Sequence, residues 1–183
     1  LMLLNDQPEV KLEFQSILAE VNLKTGNLTR AADLAKEVIF KYENEKVGTK
    51  RNYVKALRTI ATTFRYTGSI DSGAYFLKKS IAINKLENDK EGLAKDYMIL
   101  AENQYTSSQY DSAEINAKKA IKIMEEINGK SHVDNSEALS ILAAALYYNG
   151  KNEGGIKTMH ESIKLLEENG VFNHPELGVK YSL

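Results

Sequence analysis

GLAKDYMILAENQYTSSQYDSAEINAKKAIKIM, residues 92–124, is the stretch whose reading decides the fold. Leu93, Tyr97, Leu100, Ala101 and Gln104 recur at helical spacing in its first half, and Tyr110, Ala113, Ala117, Ala120 and Ile121 do so in its second. Ser107 and Ser108 stand between the two runs. The spacing therefore predicts two amphipathic helices joined by a tight turn.

Working outward, the same pair recurs along the chain. Upstream, Leu12, Leu18, Ala19 and Leu23 precede Gly26, and Ala31, Ala35, Val38 and Ile39 follow it. Ala56, Leu57, Ile60 and Ala61 then precede Gly68, with Gly73, Leu77 and Ile81 after it. Downstream, Ala138, Leu142, Ala143 and Leu146 precede Gly150, and Gly155, Met159 and Ile163 follow. The turns at Gly26, Gly68, Ser108 and Gly150 are 42, 40 and 42 residues apart. A fixed period of this size is the mark of a repeat architecture and outranks any local motif.

Single columns test the register. Seven residues before each turn stand Ala19, Ala61, Ala101 and Ala143, preceded by Leu18, Ile60, Leu100 and Leu142. Five after it stand Ala31, Gly73, Ala113 and Gly155, and thirteen after it Ile39, Ile81, Ile121 and Ile163. Antiparallel helices approach closely only where one presents a small residue, while large aliphatics fill the space between pairs. The repeats span about 8–43, 50–86, 91–127 and 132–168. Residues 174–183, with Pro175 at a first helical position, read as the start of a further helix. LMLL at the start reads as the end of an element of an upstream unit, so the chain is expected to be a piece of a longer protein.

Composition agrees with a helical protein: two prolines and eleven glycines in 183 residues, 43% hydrophobic and 27% charged. The net charge of −1 gives no bulk attraction to nucleic acid or to an anionic membrane. No cysteine is present, which excludes disulfides and thiolate chemistry. No apolar run approaches the roughly 18 residues needed to span a bilayer, so no membrane insertion is expected of this segment, and a cytoplasmic location is favoured over others without being fixed.

Catalytic motifs do not assemble. Gly129-Lys130-Ser131 resembles the tail of a phosphate-binding loop, but Met124 stands where its first glycine belongs and a helix precedes it where a strand is needed. The plain reading is a helix end at Gly129. His160-Glu161 has Lys164 in place of the second histidine of a zinc-protease signature. The three histidines lie in separate places, so His132 and His174, 42 residues apart, read as junction residues rather than ligands. The expectation is a protein that is not an enzyme and carries no cofactor or metal.

The columns resemble the tetratricopeptide repeat, in the long variety of 40–42 residues seen in kinesin-light-chain-like arrays and many bacterial regulators. Its position 7 is met by Leu18, Ile60, Leu100 and Leu142, position 8 by the four alanines, and position 20 by Ala31, Gly73, Ala113 and Gly155. Position 15 is glycine in three copies and Ser108 in the third; position 27 is looser, with Val38, Ser80, Ala120 and Ser162. The usual aromatic at position 11 is replaced by Asn22, Gln104 and Leu146, with Phe64 alone conforming, and the usual proline at 32 is missing. The resemblance implies an all-α, right-handed helical-hairpin solenoid of about four repeats plus a truncated fifth, in one array over 1–183.

It also implies a groove lined by the first helix of each repeat. At its lining positions stand Lys55, Arg58, Thr62 and Arg65 from the second repeat, Lys95, Met98, Glu102 and Tyr105 from the third, and Ser140 and Tyr147 from the fourth. The cations suit a carboxylate or an acidic peptide, and the tyrosines offer flat amphipathic contact area. The alternative is that these are solvated side chains of exposed helix faces. The Lys and Asn pair of the family's chaperone-tail clamp is absent, Arg58 and Thr62 standing in its place. The implied function is a non-catalytic protein- or peptide-binding scaffold, the sensor or interaction domain of a larger bacterial regulator. The second reading is a self-association module that stacks through open solenoid ends.

Overall fold

The computed structural model describes residues 7–171, so the expected helix at 174–183 and the LMLL segment lie outside the described residues. Eight α-helices follow one another: α1 (Pro8–Lys24), α2 (Leu28–Phe40), α3 (Lys50–Tyr66), α4 (Ile70–Leu86), α5 (Lys90–Thr106), α6 (Tyr110–Asn128), α7 (Asn135–Tyr148) and α8 (Asn152–Glu168). No strand occurs among the described residues. The chain divides within α4 into two compact units, one ending at Ile83 and one beginning at Asn84.

In the first unit α1 lies against α2, and α3 lies against both. Leu12, Leu34, Val38, Tyr53, Leu57 and Ile60 form its buried core, with Phe64 stacked on Phe76 of α4 at 5.8 Å. In the second unit α5 pairs with α6 and α7 with α8, while α7 also packs on α6 and α5. Ala101, Ala117, Leu142 and Leu146 fill the space between those pairs, and Ile163 and Leu166 pack with Val133, Met159 and Val171 at the far side.

The small-residue columns sit where the helices touch. Ala19, Ala61, Ala101 and Ala143 are buried, and so are Ala31, Gly73, Ala113 and Gly155. A Cβ on Gly155 would lie 2.9 Å from both the Ala143 carbonyl oxygen and the Tyr147 backbone nitrogen, so α7 and α8 approach at near backbone contact. The loosely matched column of Val38, Ser80, Ala120 and Ser162 is equally buried. Its serines are accommodated by hydrogen bonding, as where the Ser162 hydroxyl donates to the Ser136 carbonyl at 2.8 Å.

The four turns share one backbone solution. In each, the amide after the turn residue reaches back five residues and the turn residue's own amide reaches back three: Asn27 to Asn22 and Gly26 to Leu23, Ser69 to Phe64 and Gly68 to Arg65, Gln109 to Gln104 and Ser108 to Tyr105, Lys151 to Leu146 and Gly150 to Tyr147. This pair of bonds satisfies the last carbonyls of the first helix and requires a left-handed residue. Glycine takes that conformation without steric cost, and Ser108 takes it at φ 59°.

Two details depart from the sequence reading. The first repeat does not give way to a polar connection at residue 43: Lys41–Glu45 form a π-helical turn that carries Tyr42 and Glu43 back toward α3, and Lys46 then reverses the chain at φ 60°. α7 begins at Asn135 rather than near residue 132, because the Asn135 amide is spent on the carbonyls of Gly129 and Lys130 at 2.9 and 3.0 Å and so holds the preceding loop as a compact turn.

Candidate functional site

Lys55, Arg58, Thr62 and Arg65 fall at i, i+3, i+7 and i+10 of α3 and so share one face of that helix in the first unit. All four are half-buried. Lys55 lies 3.9 Å from a Glu20 carboxylate oxygen of α1, and the Arg65 guanidinium sits over the Tyr66 ring at 4.7 Å. The stripe is thus rich in cations, and Glu20 stands beside its Lys55 end.

In the second unit Lys95, Met98, Glu102 and Tyr105 lie along one face of α5. Lys95 is exposed, and its ammonium pairs with Glu91 one turn earlier at 2.5 Å. Tyr105 is half-buried in a tyrosine cluster: its ring centroid is 5.9 Å from Tyr110 and 5.7 Å from Tyr148, and these two stack at 5.5 Å. Burial first, and Tyr148 second, push the Tyr105 hydroxyl above the usual phenol range. Tyr147 is half exposed, edge-on to Tyr148 at 5.7 Å. Ser140 donates to the Ser136 carbonyl at 3.2 Å and meets Ser162 at 3.2 Å, so its hydroxyl serves the α7 and α8 contact.

Sequence reasoning missed three cross-links between helices. The Tyr53 hydroxyl donates to Glu43 in a short bond, Lys79 donates to the same carboxylate at 2.8 Å, and Tyr42 stacks on Tyr53 at 4.4 Å. Glu114, almost fully buried, accepts from Lys118 at 2.6 Å and Lys151 at 2.7 Å, and Lys90 donates to Glu126 at 3.0 Å. Glu43 with Lys79 and Lys90 with Glu126 are 36 residues apart, and Glu114 with Lys151 are 37 apart. Opposite charges recurring at that offset are the signal that could have found them. Tyr110 and Tyr148 were missed as well, although they flank the turns that close the third and fourth hairpins.

No group of three or more metal-ligating side chains occurs among the described residues. His132 faces Asp134 at 3.4 Å, and His174 lies outside the described residues. Gly129 ends α6 at φ 85°, as the plain reading of Gly129-Lys130-Ser131 expects. No helix among the described residues is long and apolar enough to cross a membrane.

No family model matches the chain, and no curated protein matches its sequence. Among solved structures, BtubC (BKLC) from P. vanneervenii superposes with a TM-score of 0.72 at 16% identity, over 85% of this chain and 62% of that one. A putative kinesin light chain of Podosopora anserina, described as having nearly identical TPR-like repeats, superposes with a TM-score of 0.71 at 16% identity, over 91% of this chain and 80% of its own. The chain therefore spans about three fifths of the length of BtubC. Its fold is that of a tetratricopeptide-like helical repeat.

The Glu43 cluster gives a pH prediction. Hydrogen bonds from Lys79, and then from Tyr53, hold the Glu43 carboxyl below its ordinary value near 4.5. A carboxyl depressed in the folded state contributes stability that is present above its unfolded value and lost as pH falls through the folded one. The urea midpoint should therefore fall between about pH 5 and pH 3, and Glu43→Gln should remove part of that slope while lowering the midpoint at neutral pH. An unchanged slope in Glu43→Gln would show that the cluster contributes nothing.

Proposed function

We propose that the chain is a non-catalytic binding scaffold, the interaction or sensor part of a larger regulator, and that an acidic peptide or protein segment docks on the cationic face of α3. The observation that carries this reading is the placement of Lys55, Arg58 and Arg65 with Thr62 along one helix face. The repeat class supports it, because its members generally act by binding other proteins. The bacterial setting rests on the resemblance of the 40–42-residue period to bacterial arrays. That residues 1–183 act as a single array is part of the same proposal. In the second unit, taken by itself, the proposed contacts are Tyr147, 51% exposed on α7, with Lys95, Met98, Glu102 and Tyr105 of α5 and Ser140 of α7. Charge sets orientation and association rate, and the tyrosine supplies contact area at the cost of few side-chain torsions.

The test is a titration of an acidic peptide library against the wild type, Arg58→Ala and Tyr147→Ala. Arg58→Ala should weaken binding by no more than about fivefold and flatten its salt dependence, since an exposed ion pair contributes about 0–1 kcal/mol. Tyr147→Ala should weaken it by about tenfold. Equal binding by all three proteins would remove these faces from the account.

A specific observation favours self-association as a second reading. Phe14, Ile17, Leu18 and Val21 form one stripe of α1 and are 60%, 42%, 45% and 48% exposed. Their counterparts one period later, Ala56, Thr59, Ile60 and Thr63, are 1%, 2%, 1% and 4% exposed beneath the preceding pair. An apolar stripe of this kind favours a second copy as its cover. Sedimentation equilibrium should show a concentration-dependent dimer that Ile17→Glu abolishes; a wild type that stays monomeric at about 1 mM would exclude it.

A further inference from the structure

Three Asn-Gly pairs occur in the chain, and each stands where a helix ends: Asn128-Gly129 at α6, Asn149-Gly150 at α7 and Asn169-Gly170 at α8. A glycine after asparagine leaves its amide nitrogen open to the asparagine side chain, because no Cβ shields it. In all three pairs the glycine amide donates to a backbone carbonyl, that of Glu125 at 2.9 Å, Tyr147 at 3.1 Å and Glu167 at 3.1 Å, so this restraint is common to them. The side chains differ. The Asn149 amide donates to the Asp111 carboxylate at 2.5 Å, and the Asn169 amide donates to the Leu165 and Ser131 carbonyls at 2.8 and 3.3 Å. Asn128 is exposed, and among the described residues no hydrogen bond engages its side chain.

We infer that Asn128 is a site of spontaneous covalent modification, converted to aspartyl and isoaspartyl residues ahead of the other two pairs. The Gly129 backbone nitrogen, having given up its proton, attacks Asn128 Cγ; the N–Cγ bond forms, and the side-chain nitrogen leaves as ammonia with that proton. Water then opens the cyclic imide. Cleavage of the N–Cγ bond gives aspartate, and cleavage between the nitrogen and the main-chain carbonyl carbon of residue 128 gives isoaspartate, so one water is consumed and one ammonia released. Closure needs the carboxamide to turn toward the glycine nitrogen. Asn128 turns without losing a side-chain bond, whereas Asn149 and Asn169 must first leave theirs. Either product places a carboxylate close to Glu125 and Glu126 at the negative end of α6. The isoaspartyl form also adds a methylene to the main chain directly before Gly129, whose carbonyl the buried Asn135 amide holds at 2.9 Å. The modification therefore loosens the α6–α7 connection as the molecule ages.

The experiment incubates the full 183-residue chain in mildly alkaline buffer, with and without urea, and follows each Asn-Gly pair by mass-spectrometric peptide mapping after proteolysis in acid. Aspartyl and isoaspartyl peptides are separated by chromatography. In the folded chain Asn128 should convert about fivefold faster than Asn169, and at least about tenfold faster than Asn149, whose bond is to a charged group. In urea the three rates should come within about twofold of one another, because the contacts that separate them are gone. Asp111→Ala should speed conversion of Asn149 in the folded chain about tenfold and leave Asn128 unchanged. Equal rates at Asn128 and Asn149 in the folded chain, an order of rates that persists in urea, or an Asn149 rate indifferent to Asp111→Ala would overturn the inference. So would a folded chain whose Asn128 stays intact over the time in which urea converts it.

Discussion

The structure depends on one steric constraint: two antiparallel helices meet at near backbone distance where each pair presents small residues. Ala143 and Gly155 show its strictest form, with room at the crossing for no more than a hydrogen on the glycine. Close approach of backbones brings the flanking aliphatics within reach of the next pair, so Leu142 and Leu146 meet Ala101 and Ala117 across α5, α6 and α7. Dispersion and water exclusion then act over a contiguous core, and each such contact depends on the crossing distance being kept.

The turns preserve that geometry. Four times the first helix ends with the same two backward hydrogen bonds, which set the direction in which the second helix leaves. A residue inserted there would rotate the following helix by about 100° and carry its small residues away from the crossing. The side chains that pin successive helices are separate from this core. Glu43 with Lys79 and Tyr53, and Glu114 with Lys118 and Lys151, sit at its margins, where carboxylates keep several charged or hydroxyl partners at once.

The helix pairs were legible in the sequence because the constraint is local and recurrent. Alanine or glycine at fixed offsets from a left-handed turn residue is a pattern that a single chain displays four times. The π-helical turn at 41–45 was not legible, since nothing in Lys41, Tyr42, Glu43, Asn44 and Glu45 marks a fifth-residue hydrogen bond; the contacts of Tyr42 and Glu43 with α3 and α4 select it. Leu18 occupies a core column yet stays 45% exposed, because no described element precedes α1 to cover it. For the candidate site, Lys55, Arg58, Thr62 and Arg65 were singled out by the lining positions that the repeat resemblance implies, and their i, i+3, i+7 and i+10 offsets put them on one face of α3. The Lys95 pairing with Glu91 was equally available from an i, i+4 offset, whereas the enclosure of Tyr105 by Tyr110 and Tyr148 depended on side chains 38 and 43 residues apart from one another or from it.

The central claim is that close helix approach at the small-residue columns outweighs local helix propensity, and α8 tests it with adjacent glycines. In urea unfolding, Gly154→Ala should stabilise by up to about 1 kcal/mol, because its Cβ would meet nothing closer than Leu146 Cδ1 at 3.9 Å. Gly155→Ala should destabilise by about 1–3 kcal/mol despite the same propensity gain, because its Cβ would press on the backbone of α7. If Gly155→Ala stabilises as much as Gly154→Ala does, the helices are not held at that distance and the account of the fold fails.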